Sequence, residues 1–293
     1  MVRKNHVQKK EKEYQIDMHL RKSGSKGVAV NKIPIKKASE LFGILNIVFF
    51  SPEDLNIIKN GPAERRRFID LELCQLDKLY LSDLSSFNKV LNQRNKLLKD
   101  ISFRPDLVDT LPVWDMQLLE YGTRIIRKRK KFVEELNEII SEIHSRISGG
   151  REHLVLKYEP NITADLFSDE LLRAQNRDLK LCQTTVGPHR DDMLFSVDNV
   201  DIRKFGSQGQ QRSAVLALKL SEASLLREVT GEQPVALLDD VMSELDISRQ
   251  DYILNHIHGW QVFITCCEPA AVFRMTGGGL FHVKQGVIQK ENA

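Results

Sequence analysis

Apolar and polar positions alternate in short stretches over residues 14–50, first in YQIDMHL and again in KGVAVNKIPIKKA. A two-residue period sends successive side chains to opposite faces of a strand, so these stretches predict a small antiparallel meander with Gly24-Ser25-Lys26-Gly27 at a turn. Leu45 to Phe50 (LNIVFF) is rich in β-branched and aromatic residues and stops at Ser51-Pro52. That predicts a buried strand, then a helix capped by Ser51 with Pro52 at its first position. From about residue 64 to 148 the pattern becomes helical, with one Pro-containing break between Phe103 and Pro112. In its second part Leu118, Ile125, Phe132, Leu136, Ile139, Ile143 and Ile147 recur at spacings of three, four or seven. They share one helical face, and Gly149-Gly150 supplies the stop.

Residues 152–203 read as a return to short strands, among them HLVLKYE, DMLFSV and NVDIRKF. The C-terminal third alternates: an amphipathic helix from Arg212 to Thr230, a strand from Val235 to Asp239, a helix around Ser248 to His258 and a strand from Gln261 to Cys266. Strand and helix in alternation predict a largely parallel sheet covered by helices.

Composition narrows the class. With 41% hydrophobic and 28% charged residues the chain reads as a soluble globular protein, not a disordered or membrane one. No apolar run approaches the roughly 18 residues a membrane span needs. Charges scattered through the first twenty residues leave no secretory segment, so a cytoplasmic protein without a membrane partner is expected. Cys74, Cys182, Cys266 and Cys267 show no CxxC pairing and no neighbouring His cluster, which argues against zinc. The net charge of +3 implies no nucleic acid by itself. Local charge does more: Arg124 with Arg127, Lys128, Arg129, Lys130 and Lys131, and separately Arg65 and Arg66 with Arg67, are dense enough for phosphate contacts. A solvated helix face, or ion pairs with Glu64, Asp70 and Glu72, would use the same residues.

Two segments carry candidate chemistry. In PVALLDDVMSELD (residues 234–246) an apolar strand delivers Asp239 and Asp240 to its C-terminal end, the edge where open α/β sheets bind ligands. One carboxylate there suits a metal ion, Asp239 by its position, and its neighbour suits polarising a water. Two solvated acids after a strand would read alike. Upstream, FGSQGQQRSAVLALKLSEASLL (residues 205–226) places two glycines, a serine and three glutamines before a helix, where backbone N–H groups, Ser207 and the helix dipole can converge on a phosphate.

Ser207-Gln208-Gly209-Gln210-Gln211-Arg212 resembles the signature loop of ABC-type and SMC-like ATPases, and Leu237-Leu238-Asp239-Asp240 resembles their Walker B strand. Ser243-Glu244-Leu245-Asp246 stands where such heads carry a D-loop, and Thr265 where they carry a switch histidine. SPEDLNIIKNGPAERRRFID (51–70), TVGPHRDD (185–192) and FGSQGQQR with DDVMSELD are similar, in order and spacing across nearly the whole chain, to the RecF family. Asn60 departs from that family's usual glycine. An ABC transporter ATPase subunit shares the signature and Walker B features, and a non-enzymatic DNA-binding scaffold is a second rival.

The resemblance implies an α/β, ABC-type or SMC-like P-loop ATPase head with an inserted, mainly helical second lobe. Residues 1–50 and 206–293 would belong to the ATPase lobe, and 51–205 to the insertion. It also implies ATP and Mg²⁺ as cofactors, with Asp239 and Asp240 catalytic and Ser207, Gly209, Gln210 and Arg212 contacting ATP held by the other subunit. Ser243, Asp246 and Thr265 would form the D-loop and switch. Partners would be DNA, single-stranded or at a junction with duplex, a second copy in an ATP-dependent homodimer, and RecR- and RecO-type proteins. The setting would be replication, recombinational repair and the SOS response, in a family of weak ATPases. The sequence contains no G-x-x-x-x-G-K-[ST] loop, so the head is read as incomplete through truncation or degeneration, and this chain alone is expected to bind ATP poorly and not to hydrolyse it. The motif Gly187-Pro188-His189-Arg190-Asp191-Asp192 is read as structural.

Overall fold

The computed structural model describes residues 2–9, 12–19, 27–267 and 278–291. The chain opens with an antiparallel sheet of β1 (Val2–Lys9), β2 (Lys12–His19), β3 (Gly27–Val30) and β4 (Ile33–Ile35), in that order. The meander is as predicted, and β1 extends it. VRKNHVQK is too polar to show a strand period, and its pairing with β2 supplies what the pattern lacks. Of the predicted turn at 24–27, only Gly27 lies among the described residues. β3 and β4 turn through Asn31 and Lys32, both at positive φ, and the Asn31 side chain accepts the Gln15 N–H at 2.8 Å.

β5 (Ile47–Phe50) starts the second sheet and ends at Ser51, whose N–H donates to the Asp54 carboxylate at 2.7 Å. The Pro52–Leu55 3-10 turn leads into α1 (Asn56–Lys59), α2 (Pro62–Leu76) and α3 (Lys78–Ile101). A further 3-10 segment, Pro105–Thr110, is the predicted break, and the 37-residue α4 (Leu111–Ile147) follows, packed along α3. The face predicted for α4 is the one that is buried, and Gly149 and Gly150 end it with φ of 65° and 75°. Asn60 sits in extended backbone at φ −82°, so that turn does not require the family's glycine.

After α4 the chain makes an antiparallel sheet of β6 (Leu154–Glu159), β7 (Asp192–Val197) and β8 (Val200–Asp201). The reading of 152–203 as strands alone is corrected by α5 (Phe167–Leu181). Its buried Phe167, Leu171, Ala174 and Asp178 fall at spacings of four, three and four, a helical stripe present in the sequence and ended at Cys182 in a left-handed turn.

α6 (Gln208–Thr230), β9 (Val235–Asp239), α7 (Ile247–His256) and β10 (Val262–Thr265) complete the parallel three-stranded sheet, ordered β10-β9-β5. A hairpin of β11 (Phe281–Lys284) and β12 (Val287–Lys290) ends the described chain. α6 is not amphipathic as predicted. Every residue from Ser213 to Ala223 is buried, because the helix lies among α1, α2, α4 and β5. Each fully buried leucine there contributes about 1.5–3 kcal/mol. The polar exceptions are satisfied: Ser213 and Ser221 donate to the Gly209 and Ala217 carbonyls, Lys219 donates to Glu222, and Glu72 of α2 is raised well above the usual carboxyl range by its burial and by the adjacent Glu222. Among the described residues no helix is long and apolar enough to cross a membrane.

Candidate functional site

The parallel register decides what stands at the C-terminal sheet edge. Thr265 pairs with Asp239 across β10 and β9, and its hydroxyl donates to Asp239 Oδ1 at 2.5 Å. Both residues are exposed, so a carboxylate and a hydroxyl face outward together. Asp240 does not continue the strand. It takes φ 53°, uncommon for a residue other than glycine, and its N–H donates to the Thr265 carbonyl at 3.1 Å. The bend turns the Asp240 carboxylate toward Ser243, whose hydroxyl donates to Asp240 Oδ1 at 3.0 Å. The two acids predicted as a pair thus have separate partners. Their donor set is all oxygen, which suits a hard cation such as Mg²⁺. Among the described residues no group of three or more His, Cys, Asp or Glu is gathered as a metal cage.

Asp246 caps α7, accepting the Arg249 N–H at 3.0 Å and pairing with the Arg249 guanidinium. That backbone hydrogen bond, more than the charge, holds its carboxyl below the usual range.

At the start of α6, Ser207 and Gln210 form a reciprocal cap. Ser207 Oγ accepts the Gln210 N–H at 3.1 Å, and Gln210 Oε1 accepts the Ser207 N–H at 2.9 Å. The Ser207 oxygen thus accepts within the cap, and the cap makes no use of the hydroxyl as a donor. The helix starts earlier than the sequence suggested, so of the two glycines Gly206 precedes α6 and Gly209 lies in its first turn, and they differ. A Cβ on Gly206 would stand 2.5 Å from the Ile202 carbonyl oxygen, so packing demands glycine there. A Cβ on Gly209 would meet nothing nearer than 3.8 Å, and its φ is not in the left-handed region, so the fold does not require glycine at that position. Arg212 lines a small cleft with Ser51, Asp54, Lys219, Val241 and Leu245, connecting the start of α6 to the turn after β5.

The predicted DNA-facing cations divide. Arg65 and Arg129 are corrected: both are buried and committed to carboxylates. Arg65 grips Asp192 through Nε at 2.6 Å and Nη2 at 3.1 Å, and Arg129 joins Asp191 at 2.9 Å and Asp70 at 2.8 Å. A guanidinium enclosed this way cannot reach a phosphate. Arg66, part-buried, donates to the Asp191 carbonyl at 2.7 Å and belongs to the same joint. Arg124, Arg127, Lys130 and Lys131 are exposed on α4, and Lys128, part-buried, pairs with Asp77. The exposed ones have surface partners such as Asp165 at 3.6 Å from Arg127 and Glu135 at 3.4 Å from Lys131, pairs worth only about 0–1 kcal/mol that leave the charge available.

The joint explains the GPHRDD motif. Asp191 also accepts from the Tyr158 hydroxyl and, at 2.8 Å, from the Asn161 N–H, so α2, α4 and β6 are tied through it to the start of β7. His189 donates through Nε2 to the Thr184 carbonyl at 3.0 Å. Burial, with the charges of Arg190 and Arg66, pushes its pKa down to about 4. Sequence reasoning missed Arg94, fully buried between Asp178 at 2.7 Å and Asp115 at 2.6 Å, because no cluster marks it in the chain.

No family model matches the chain. The DNA replication and repair protein RecF of Agathobacter rectalis is 69% identical over 285 residues, covering 97% of this chain and 79% of that protein. The RecF of Lachnospira eligens is 56% identical over 283 residues, covering 95% and 78%. Among solved structures, the recombination mediator protein RecF-ATPrS of the RecFOR pathway superposes with a TM-score of 0.88 at 38% identity, over 98% of this chain and 79% of that one. The Smc head domain of Pyrococcus furiosus, at 16% identity and a TM-score of 0.52 over 96% of this chain and 72% of its own, shares the fold. The ABC-type and SMC-like head is thereby the fold of this chain, and on identities of this size the chain belongs to the RecF family of DNA replication and repair proteins.

Proposed function

We propose that the chain is an ATP-dependent DNA-binding protein of recombinational repair whose signature loop contacts ATP held by a second head. The observation that carries this reading is Gly209, a glycine the fold does not need, beside a Ser207 hydroxyl free to donate and at a helix N-terminus suited to anions. The relatives solved as RecF-ATPrS and RecF-ATP in the RecFOR pathway support ATP as the ligand, and DNA with RecR- and RecO-type proteins as partners. Asp239, with Thr265 beside it, would hold Mg²⁺ directly or through water, and Asp240 would orient the attacking water. An Mg²⁺ held there would supply neutralising charge to phosphate oxygens. In this reading residues 1–50 and 206–293 form the ATPase lobe and 51–205 the insertion, whose α4 cations Arg124, Arg127, Lys130 and Lys131 meet DNA phosphates in the cytoplasm, on single strands or junctions where a recombinase is loaded.

The test is sedimentation of this chain mixed with an ATP-binding RecF relative, with Mg²⁺ and with or without a non-hydrolysed ATP analogue. Nucleotide-dependent association is expected, and Ser207→Arg should abolish it. Equal association by the variant would remove Ser207 from the nucleotide site.

A further inference from the structure

Glu152 lies in the short connection between α4 and β6, two residues beyond the glycines that end α4. One of its carboxylate oxygens accepts the Gln210 side-chain Nε2–H at 3.1 Å, across 58 positions of sequence. Its other oxygen lies 3.8 Å from Nε2 of His144, which is fully buried in the last turn of α4. Gln210 has one amide and two ends. Its NH₂ is held by Glu152, which turns its oxygen onto the Ser207 N–H, while its own backbone N–H meets Ser207 Oγ. The Ser207–Gln210 cap is therefore a three-member device, and the third member belongs to the end of α4. A glutamine side chain without such an anchor rotates freely, because its terminal torsion has only broad preferences.

We infer that Glu152 is a positioning residue for the loop that opens α6, orienting Gln210 so that the reciprocal Ser207–Gln210 cap keeps its geometry, and tying that geometry to the C-terminal end of α4. The inference rests on the reading of Ser207 as a nucleotide contact only for its consequence in association; the positioning itself is a property of the chain alone. A shift of the α4 end displaces Glu152 and with it the cap. The helix that carries the exposed cations thus has a mechanical connection to the loop proposed to meet ATP.

Hydrogen–deuterium exchange of the chain without nucleotide tests this. Glu152→Ala should accelerate exchange in the peptide spanning 203–212 about tenfold, the effect of losing one charge-assisted hydrogen bond. Glu152→Gln should stay near the parent, because its amide oxygen can still accept from Gln210. A peptide from the middle of α4, 125–140, should keep its protection in both and serves as the folding reference. No acceleration in Glu152→Ala, or equal acceleration in Glu152→Gln, overturns the inference. Association with the ATP-loaded relative is then measured for Glu152→Ala and is expected to weaken about tenfold. A loop that loosens while association is unchanged would sink the nucleotide reading of Ser207 and leave the positioning role standing.

Discussion

The joint built around Arg129 and the edge built around Asp239 use the same kinds of residue to opposite ends. In the joint, Arg65 and Arg129 are buried against Asp70, Asp191 and Asp192, with Tyr80 and Tyr158 completing the hydrogen bonding. Every carboxylate there has a cation. At the sheet edge Asp239 is exposed and is met by a hydroxyl, and Asp240 by a serine. Charge that is enclosed and matched holds elements together, whereas charge that is exposed and met only by neutral donors remains able to take a cation or a polar ligand. Density of charge in the sequence does not separate the two; burial does.

The largest effect should come from breaking the joint. Arg129→Met leaves Asp191 and Asp70 without their cation and should cost about 3–5 kcal/mol, read as a lowered urea midpoint. A loss under about 1 kcal/mol would mean that the pairs are replaceable by packing alone. Gly206 and Gly209, at the start of α6, offer the next contrast. Gly206→Ala forces a methyl against the Ile202 carbonyl and should cost about 1–3 kcal/mol. Gly209→Ala should leave stability within about 0.5 kcal/mol while impairing nucleotide-dependent association. Equal destabilisation by the two would erase the distinction between a packing glycine and a ligand-facing one.

Acid should reach the joint through His189. Its folded pKa of about 4 lies below the ordinary 6.5, so neutral His189 contributes stability that is present above pH 6.5 and is lost as pH falls toward 4. Unfolding midpoints followed from pH 7 to 4 should therefore decline, and His189→Gln should flatten that decline; an unchanged slope would show that other groups carry it. The smallest effect on stability belongs to the α4 surface. Lys130→Gln with Lys131→Gln should move the midpoint by no more than about 0.5 kcal/mol, yet lower DNA affinity and reduce its salt dependence. Unaltered DNA binding would remove these lysines from the interface.

Much of this was legible in the chain. The alternation of helix and strand in the C-terminal third predicted a parallel sheet, in which β9 and β10 pair; that β5 joins them on the other side of β9 was not predicted. The α4 stripe predicted its own buried face, since a helical period can be read without knowing the partner. β1 was not legible, because a strand at the edge of a meander takes its order from its neighbour and not from its side chains. α5 was legible in principle: its four-three-four stripe stands in the sequence, between two strand-like segments.

The candidate site divides in the same way. Residue order alone determined that a serine–glycine loop opens a helix, that two acids close an apolar strand, and that a threonine ends the next one. These are local facts, set by neighbours within a few positions. Only the tertiary structure decided that Thr265 faces Asp239, that Arg65 and Arg129 are enclosed while Lys130 and Lys131 are not, and that Glu152 holds Gln210 from 58 positions away. The physical reason is that pairing and burial are relations between distant segments. A charge in the sequence has no partner and no dielectric until the chain folds and supplies both.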